Sequence, residues 1–214
     1  MNYFILSISI LIVLLCLCFY FIGTEQYYDI HDFPFIGKIL ENENILTEEV
    51  LEYSNNNNWT LQDNKHPIYN YNSLIKMNIY DIQKYLVEYS GKLNFSTPYL
   101  KTYWLKINKI LIEGNIVFCP KTLKLFDNVN NIINIGICCV EPGYKGNIAT
   151  QNYTNIIKCY IPFFIPIGDC GIMLDNNIHQ WNDKNFILFE HRDHILWNYN
   201  NTNLFLLSID ILNK

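Results

Sequence analysis

The chain has 214 residues, half of them apolar, with a mean hydropathy of +0.04 and a formal net charge of −5. That length holds one domain of ordinary size with a real core. Fifteen Lys and Arg stand against twenty Asp and Glu with no basic run, so a phosphate backbone finds no footprint and no nucleic-acid partner is expected.

Asn supplies about one residue in seven. Such a bias suggests an AT-rich genome, as in a large DNA virus or a parasite, and the run at Asn56–Asn58 reads as loop filler. From Tyr3 to Ile22 the residues are apolar or small, and about twenty residues at 1.5 Å each match the thickness of a bilayer core. Ser7 and Ser9 fit there, because each hydroxyl can bond a carbonyl one turn back. The basic n-region, shorter apolar core and small-residue cut site of a cleaved signal are not clear, and Gly23-Thr24 is the only cleavage neighbourhood the sequence offers. Residues 1–23 are therefore expected to form a retained transmembrane signal-anchor, followed by an acidic and aromatic linker over 24–34. Both flanks are poor in Lys and Arg, and Glu25, Asp29 and Asp32 precede Lys38. The expected arrangement is single-pass type II, with the C-terminal domain outside the cytosol. Sequons at Asn58, Asn94, Asn152 and Asn200 fit an exported domain, although an Asn-rich chain also produces them by chance.

Residues 35–214 read as one domain. Thr47-Glu-Glu-Val-Leu-Glu-Tyr predicts a short helix, with Thr47 as cap and the acidic residues where the helix dipole favours them. Residues 55–70 read as a polar loop. Ile79, Ile82, Leu86 and Tyr89 recur at helical spacing before Gly91 and predict a second helix. Tyr103 to Ile112 alternates like a strand, and Lys121 to Asn128 reads as a further helical turn. From Ile132 onward, short apolar runs separated by Gly, Asn and Asp predict antiparallel strands. The expected fold class is mainly β, a double-stranded β-helix or jelly roll with a few flanking helices, preceded by the transmembrane helix. Five cysteines lie in the domain. Cys138 and Cys139 are adjacent on a strand, so they point to opposite faces and cannot easily bond each other. Cross-strand pairing of Cys159 with Cys170 is possible, but buried free thiols are the favoured reading.

Several motifs appear in a fixed order: Cys119-Pro-Lys-Thr-Leu-Lys-Leu, Pro142-Gly143, the apolar strand Tyr160–Pro166, Cys170, Trp181, His194-Ile-Leu-Trp197, and a closing strand that carries Asp210. Together they resemble the aspartyl/asparaginyl β-hydroxylase family of Fe(II)- and 2-oxoglutarate-dependent dioxygenases. The resemblance covers most of Phe33 to Ile211 and is firmest after Cys119. It implies a jelly roll whose iron is held by two His residues, with an Arg gripping the oxoacid carboxylate. His194 matches the second iron ligand. Counting without gaps from Pro142 puts Ala149 at the first, and Ala has no donor atom. The oxoacid Arg corresponds to Lys158, which keeps the charge but loses the bidentate fork, and the neighbouring family His corresponds to Tyr160. A later Arg corresponds to Leu204.

The site implied by the resemblance is therefore degraded. The expectation is a membrane-anchored hydroxylase-like domain that is catalytically inactive, holds no cofactor, and binds another protein or a peptide. The alternative is an active peptidyl-Asp/Asn hydroxylase using Fe(II) and 2-oxoglutarate through relocated ligands drawn from His179, His191, Asp193 and His194. A β-strand would turn His191 and His194 to opposite sides unless a loop or bulge intervenes. The plainest role for His194 is a core-lining imidazole beside Tyr160. Trp181 and Trp197 are expected to plug a two-sheet core.

Overall fold

The computed structural model describes residue 28 and residues 30–56, 94–97, 100–146, 149–150, 155–182, 185–190 and 193–213. The expected signal-anchor, part of the linker, nearly all of the polar loop expected over 55–70 and the helix expected over Ile79–Tyr89 lie outside the described residues. Among those described, no helix is long and apolar enough to cross a membrane.

The domain opens with a 3₁₀ turn at Ile30–Asp32 and two helices, α1 (Pro34–Glu41) and α2 (Glu43–Asn56). Pro34 sits in the first turn of α1, where its missing N–H costs nothing. Phe33 is already buried against Tyr28 and Phe35, so the core begins inside the stretch expected to be linker. Thr47 does not cap α2. The helix starts four residues earlier, and the Thr47 hydroxyl instead donates to the Glu43 carbonyl at 3.1 Å.

Strands β1 (Asn94–Thr97), β2 (Leu100–Ile107) and β3 (Ile110–Leu111) follow. The single strand expected over Tyr103–Ile112 is thus a hairpin. Asn108 and Lys109 both adopt left-handed backbone, at φ 45° and 67°, and turn the chain back. Short helices α3 (Glu113–Ile116) and α4 (Pro120–Lys124) lead to β4 (Ile132–Val140), β5 (Tyr144–Lys145), β6 (Ala149–Thr150) and β7 (Ile156–Phe164). The chain ends with β8 (Cys170–Leu174), β9 (Asn177–Gln180), β10 (Ile187–Glu190), β11 (Asp193–Asn198) and β12 (Leu204–Leu212).

Among the described residues these strands form two antiparallel sheets. One runs β1-β2-β4-β12-β7-β10 with β3 on β2, and the other runs β5-β11-β8-β9 with β6 on β11. From β4 onward the chain crosses repeatedly between them: β5 and β6 in the small sheet, β7 in the large, β8 and β9 in the small, β10 in the large, β11 in the small, β12 in the large. That alternation is the jelly-roll path.

Sequence parity shows how the layers stack. Ile157, Cys159, Ile161 and Phe163 of β7 and Phe205, Leu207, Ile209 and Ile211 of β12 pack with the helices. Tyr160, Leu204 and Leu206 turn the other way and pack with Cys170, Ile172, Leu174 and Leu196 of the small sheet. Because β7 and β12 are covered on both faces, they read as continuous apolar runs rather than as alternation. Cys138 and Cys139 fall in opposite layers, as adjacent strand residues must. Cys159 packs on the helix side and Cys170 between the sheets, and all five domain cysteines are free and buried.

One tryptophan departs from expectation. Trp181 is buried between the sheets, but Trp197 lies on the outer face of the small sheet. There its ring covers Gly171, where an added Cβ would come within 2.6 Å of Trp197 Cζ2, and its indole N–H donates to Asp169 Oδ1 at 2.8 Å.

Candidate functional site

Several polar residues of the inter-sheet layer gather at one end of the large sheet, while Asn198 lies at the other, donating to the Val140 carbonyl at 2.8 Å. Register places Asn134, Asp210 and Lys158 side by side on β4, β12 and β7, with Phe189 of β10 next in the row. The adjacent row carries Gly136, Ser208 and Tyr160. All of these share the parity of Leu204 and Leu206, so the face that looks toward the small sheet carries the charge.

Lys158 and Asp210 are 3% and 1% exposed, and Lys158 Nζ donates to Asp210 Oδ1 at 2.5 Å. The second carboxylate oxygen accepts Asn134 Nδ2 at 2.6 Å, and Asn134 Oδ1 in turn accepts the Asn108 backbone N–H at 2.8 Å. The ammonium also lies 5.4 Å from the centre of the Tyr160 ring, within cation–π range. Burial pushes the Tyr160 phenol well above its usual range, aided by the negative charge of Asp210, so it stays protonated. The Ser208 hydroxyl, on the ladder partner of Tyr160, works against that rise. Burial also raises the Cys138 thiol, which the Thr102 hydroxyl contacts at 3.5 Å.

His194 faces this cluster from β11. It is 8% exposed, and its ring centre lies 6.1 Å from Tyr160 and 5.1 Å from Phe189. Its ladder partners are Leu174 on one side and Ala149 on the other. Facing residues of an antiparallel pair share one side of the sheet. Ala149, whose methyl group has no donor atom, is therefore the backbone ladder partner of His194.

Of the alternative ligands, the two described, Asp193 and His179, do not assemble around His194. Asp193 is exposed and has the opposite strand parity. His179 is paired with Ile172 on the edge strand β9, two strands from β11 and displaced along the sheet. His191 lies outside the described residues, and among those described no group of three His, Cys, Asp or Glu could hold a metal ion. Leu204 is buried beside Val140, six residues along β12 from Asp210 and so roughly 20 Å from the Lys158 row. The cluster thus joins Lys158, Tyr160 and His194 and leaves Leu204 apart. An Fe(II)–oxoacid pair does not fit the described residues: His194 faces Ala149 and Leu174, and the Lys158 ammonium is engaged by Asp210.

Asn134, Ser208 and the pairing role of Asp210 are not evident from motif matching. A signal for them exists nonetheless, since Lys158, Ser208 and Asp210 interrupt otherwise apolar strands at positions of one parity. A charge in a strand buried on both sides needs a partner of opposite sign.

Among solved structures, the chain is similar to a predicted oxalate decarboxylase from Thermotoga maritima, at 12% identity and TM-score 0.37, covering 53% of this chain and 80% of that one. Ectoine synthase from P. lautus aligns at 9% identity and TM-score 0.38, covering 61% and 75%. The Cnp3 cupin domain of Schizosaccharomyces pombe aligns at 9% identity and TM-score 0.37, covering 53% and 65%. No curated protein matches the chain. The family model described as aspartyl/asparaginyl beta-hydroxylase matches residues 41–214, which include every described strand and the whole polar row. The chain belongs to the aspartyl/asparaginyl beta-hydroxylase family.

Proposed function

We propose that this protein is a membrane-anchored member of the family that has kept the fold, performs no hydroxylation, and serves to bind a protein or peptide. The observation that carries this reading is the pairing of His194 with Ala149 across the β6–β11 ladder. Two imidazoles chelate a metal and outcompete water, while one does not. The buried Lys158–Asp210 pair adds support, because an ammonium satisfied by an internal carboxylate has little to offer an incoming oxoacid. The binding role draws support from apolar side chains left in solvent at the β7–β8 turn. Phe164 and Ile167 are exposed there, and Tyr199, also exposed, is tied to the turn by its backbone N–H to the Asp169 carbonyl at 2.9 Å. The apolar stretch Tyr3–Ile22 would hold the domain at a membrane in the type II sense.

The test uses the purified full-length chain in detergent with Fe(II), 2-oxoglutarate, oxygen and Asp- or Asn-containing peptides. The expected result is no succinate above background and no anaerobic charge-transfer band. Peptide-coupled succinate release, or a band abolished by His194→Ala, would overturn the proposal in favour of an active enzyme with rearranged ligands. Protease protection and a deglycosylation shift in microsomes report which side of the membrane holds the domain.

A further inference from the structure

We infer that the outer edge of the small sheet docks a second copy of this chain, the two β9 strands pairing antiparallel about a two-fold axis at Ile178. This rests on the binding role proposed above and gives it a partner. Among the described residues the small sheet ends at β9, with no strand beyond it. The Trp181 backbone N–H donates to the Cys170 carbonyl at 3.0 Å, so residues 177, 179 and 181 turn their backbone groups toward β8. By strand alternation Ile178 and Gln180 turn theirs outward. Natural sheets guard such an edge with Lys, Pro, a bulge or a covering element. Asn177-Ile178-His179-Gln180 has no Lys, Arg, Asp, Glu or Pro and no shift in register, and three of its four residues are exposed.

The side chains select the partner. Ile195, Met173 and Ile178 lie in one row across β11, β8 and β9, on the outer face that also carries Trp197. Ile195 and Met173 are half-buried and Ile178 is 68% exposed, so the row stays apolar up to an end that opens onto solvent. In a two-fold antiparallel pair, facing residues share a side of the sheet, so the axis must pass through a residue that faces itself. At Ile178 the outward N–H and C=O groups of the two copies meet and form two hydrogen bonds. The two rows join into one stripe of six apolar side chains, and on the other side Asn177 faces His179 with no like charges opposed. A foreign peptide would share the backbone bonds, but a second copy always brings the same apolar row to the matching position.

With four residues a side, the interface belongs to the small, weak class, so association is followed over rising concentration. The full-length chain in detergent, with the detergent density-matched, is expected to pass from monomer to dimer in sedimentation equilibrium. Ile178→Pro removes the outward N–H and breaks no bond to β8. It is expected to raise the dimer dissociation constant about 30-fold, the loss of two hydrogen bonds of ordinary net strength. Ile178→Lys sets like charges face to face and is expected to act in the same direction, which keeps the test decisive if the proline variant does not fold. Cross-linking reads the register. In a Cys16→Ser/Cys18→Ser background, where the remaining five thiols are buried, Ile178→Cys is expected to oxidise to a covalent dimer. The Cα atoms of such a pair lie about 5.5 Å apart, within disulfide range. Asn177→Cys in that background is expected to stay monomeric under oxidation, because residue 177 faces residue 179 and not itself. A wild type that remains monomeric at every concentration overturns the inference. A dimer indifferent to both 178 variants, or one that cross-links through 177 and not through 178, overturns it as well. Succinate release by wild type would defeat the silent-site reading and leave the dimer standing, so the two failures are distinguishable.

Discussion

Replacing Ala149 with His tests which of the site's losses matters. The β6–β11 register sets residue 149 directly opposite His194, and facing positions of an antiparallel pair have Cα atoms about 4.5–5.5 Å apart and share a side of the sheet. Two imidazoles so placed can close on one ion, with nitrogen–metal distances of about 2.0–2.1 Å. A metal bound only by the folded state stabilises it by about 2.7 kcal/mol at 100 times its dissociation constant. For a domain of this size that raises the melting temperature by about 5 to 11 °C. The assay is thermal unfolding of full-length Ala149→His with and without Zn(II) or Ni(II), beside wild type and Ala149→His/His194→Ala. The expected result is a metal-dependent rise in the first protein alone. No rise, or a rise that survives loss of His194, would refute the register argument. Succinate release is expected to stay at background even with Fe(II) bound, because the Lys158 ammonium remains engaged by Asp210.

Three further outcomes concern the frame around the site. Glu49, buried on α2, accepts the backbone N–H groups of Lys121 and Thr122 at 2.8 Å each, tying α2 to the start of α4. Glu49→Ala leaves both amides without this acceptor and is expected to cost about 2–4 kcal/mol in denaturant unfolding. Gly136→Ala would push a Cβ to 2.9 Å from Trp104 Cε3 and 3.0 Å from Thr102 Cγ2 on the neighbouring strand. The overpacking is expected to lower stability by about 1–3 kcal/mol, measured the same way. Burial pushes the Cys119 and Cys139 thiols up to about 12, helped by Glu49 and Glu141 respectively. Both stay protonated in the fold at pH 8, so a thiol reagent should label them only after denaturation. The folded chain holds these protons more tightly than the unfolded chain. The stability involved is therefore fully present below about pH 8 and is lost as pH rises from about 9 toward 12, by up to about 1.4 kcal/mol per thiol per pH unit.

Local pattern sets the class of fold. Alternating turn residues and strand-length apolar runs after Ile132 announce an antiparallel sandwich, and the two central strands announce themselves as doubly buried by having no alternation at all. The adjacent thiols at 138 and 139 had to face opposite layers for the same two-residue period. Element boundaries were less legible. Nothing local distinguishes Thr47 as a cap from Thr47 within a helix, and the Asn108-Lys109 turn interrupts a run that otherwise alternates smoothly. Trp197 likewise looks like core until the register places it over Gly171 on the outer face.

For the site, sequence alone determines which atoms are available: one imidazole at 194, a methyl group at 149, and an ammonium in place of a guanidinium at 158. Composition cannot say where that ammonium finds its counter-charge, because Lys158 and Asp210 are 52 residues apart in the chain and meet only when β7 and β12 pair. Only the tertiary structure decided that Asp210 holds Lys158 and that His194 faces Ala149. Long-range strand register, set by burying two apolar faces at once, chooses which distant side chains become neighbours.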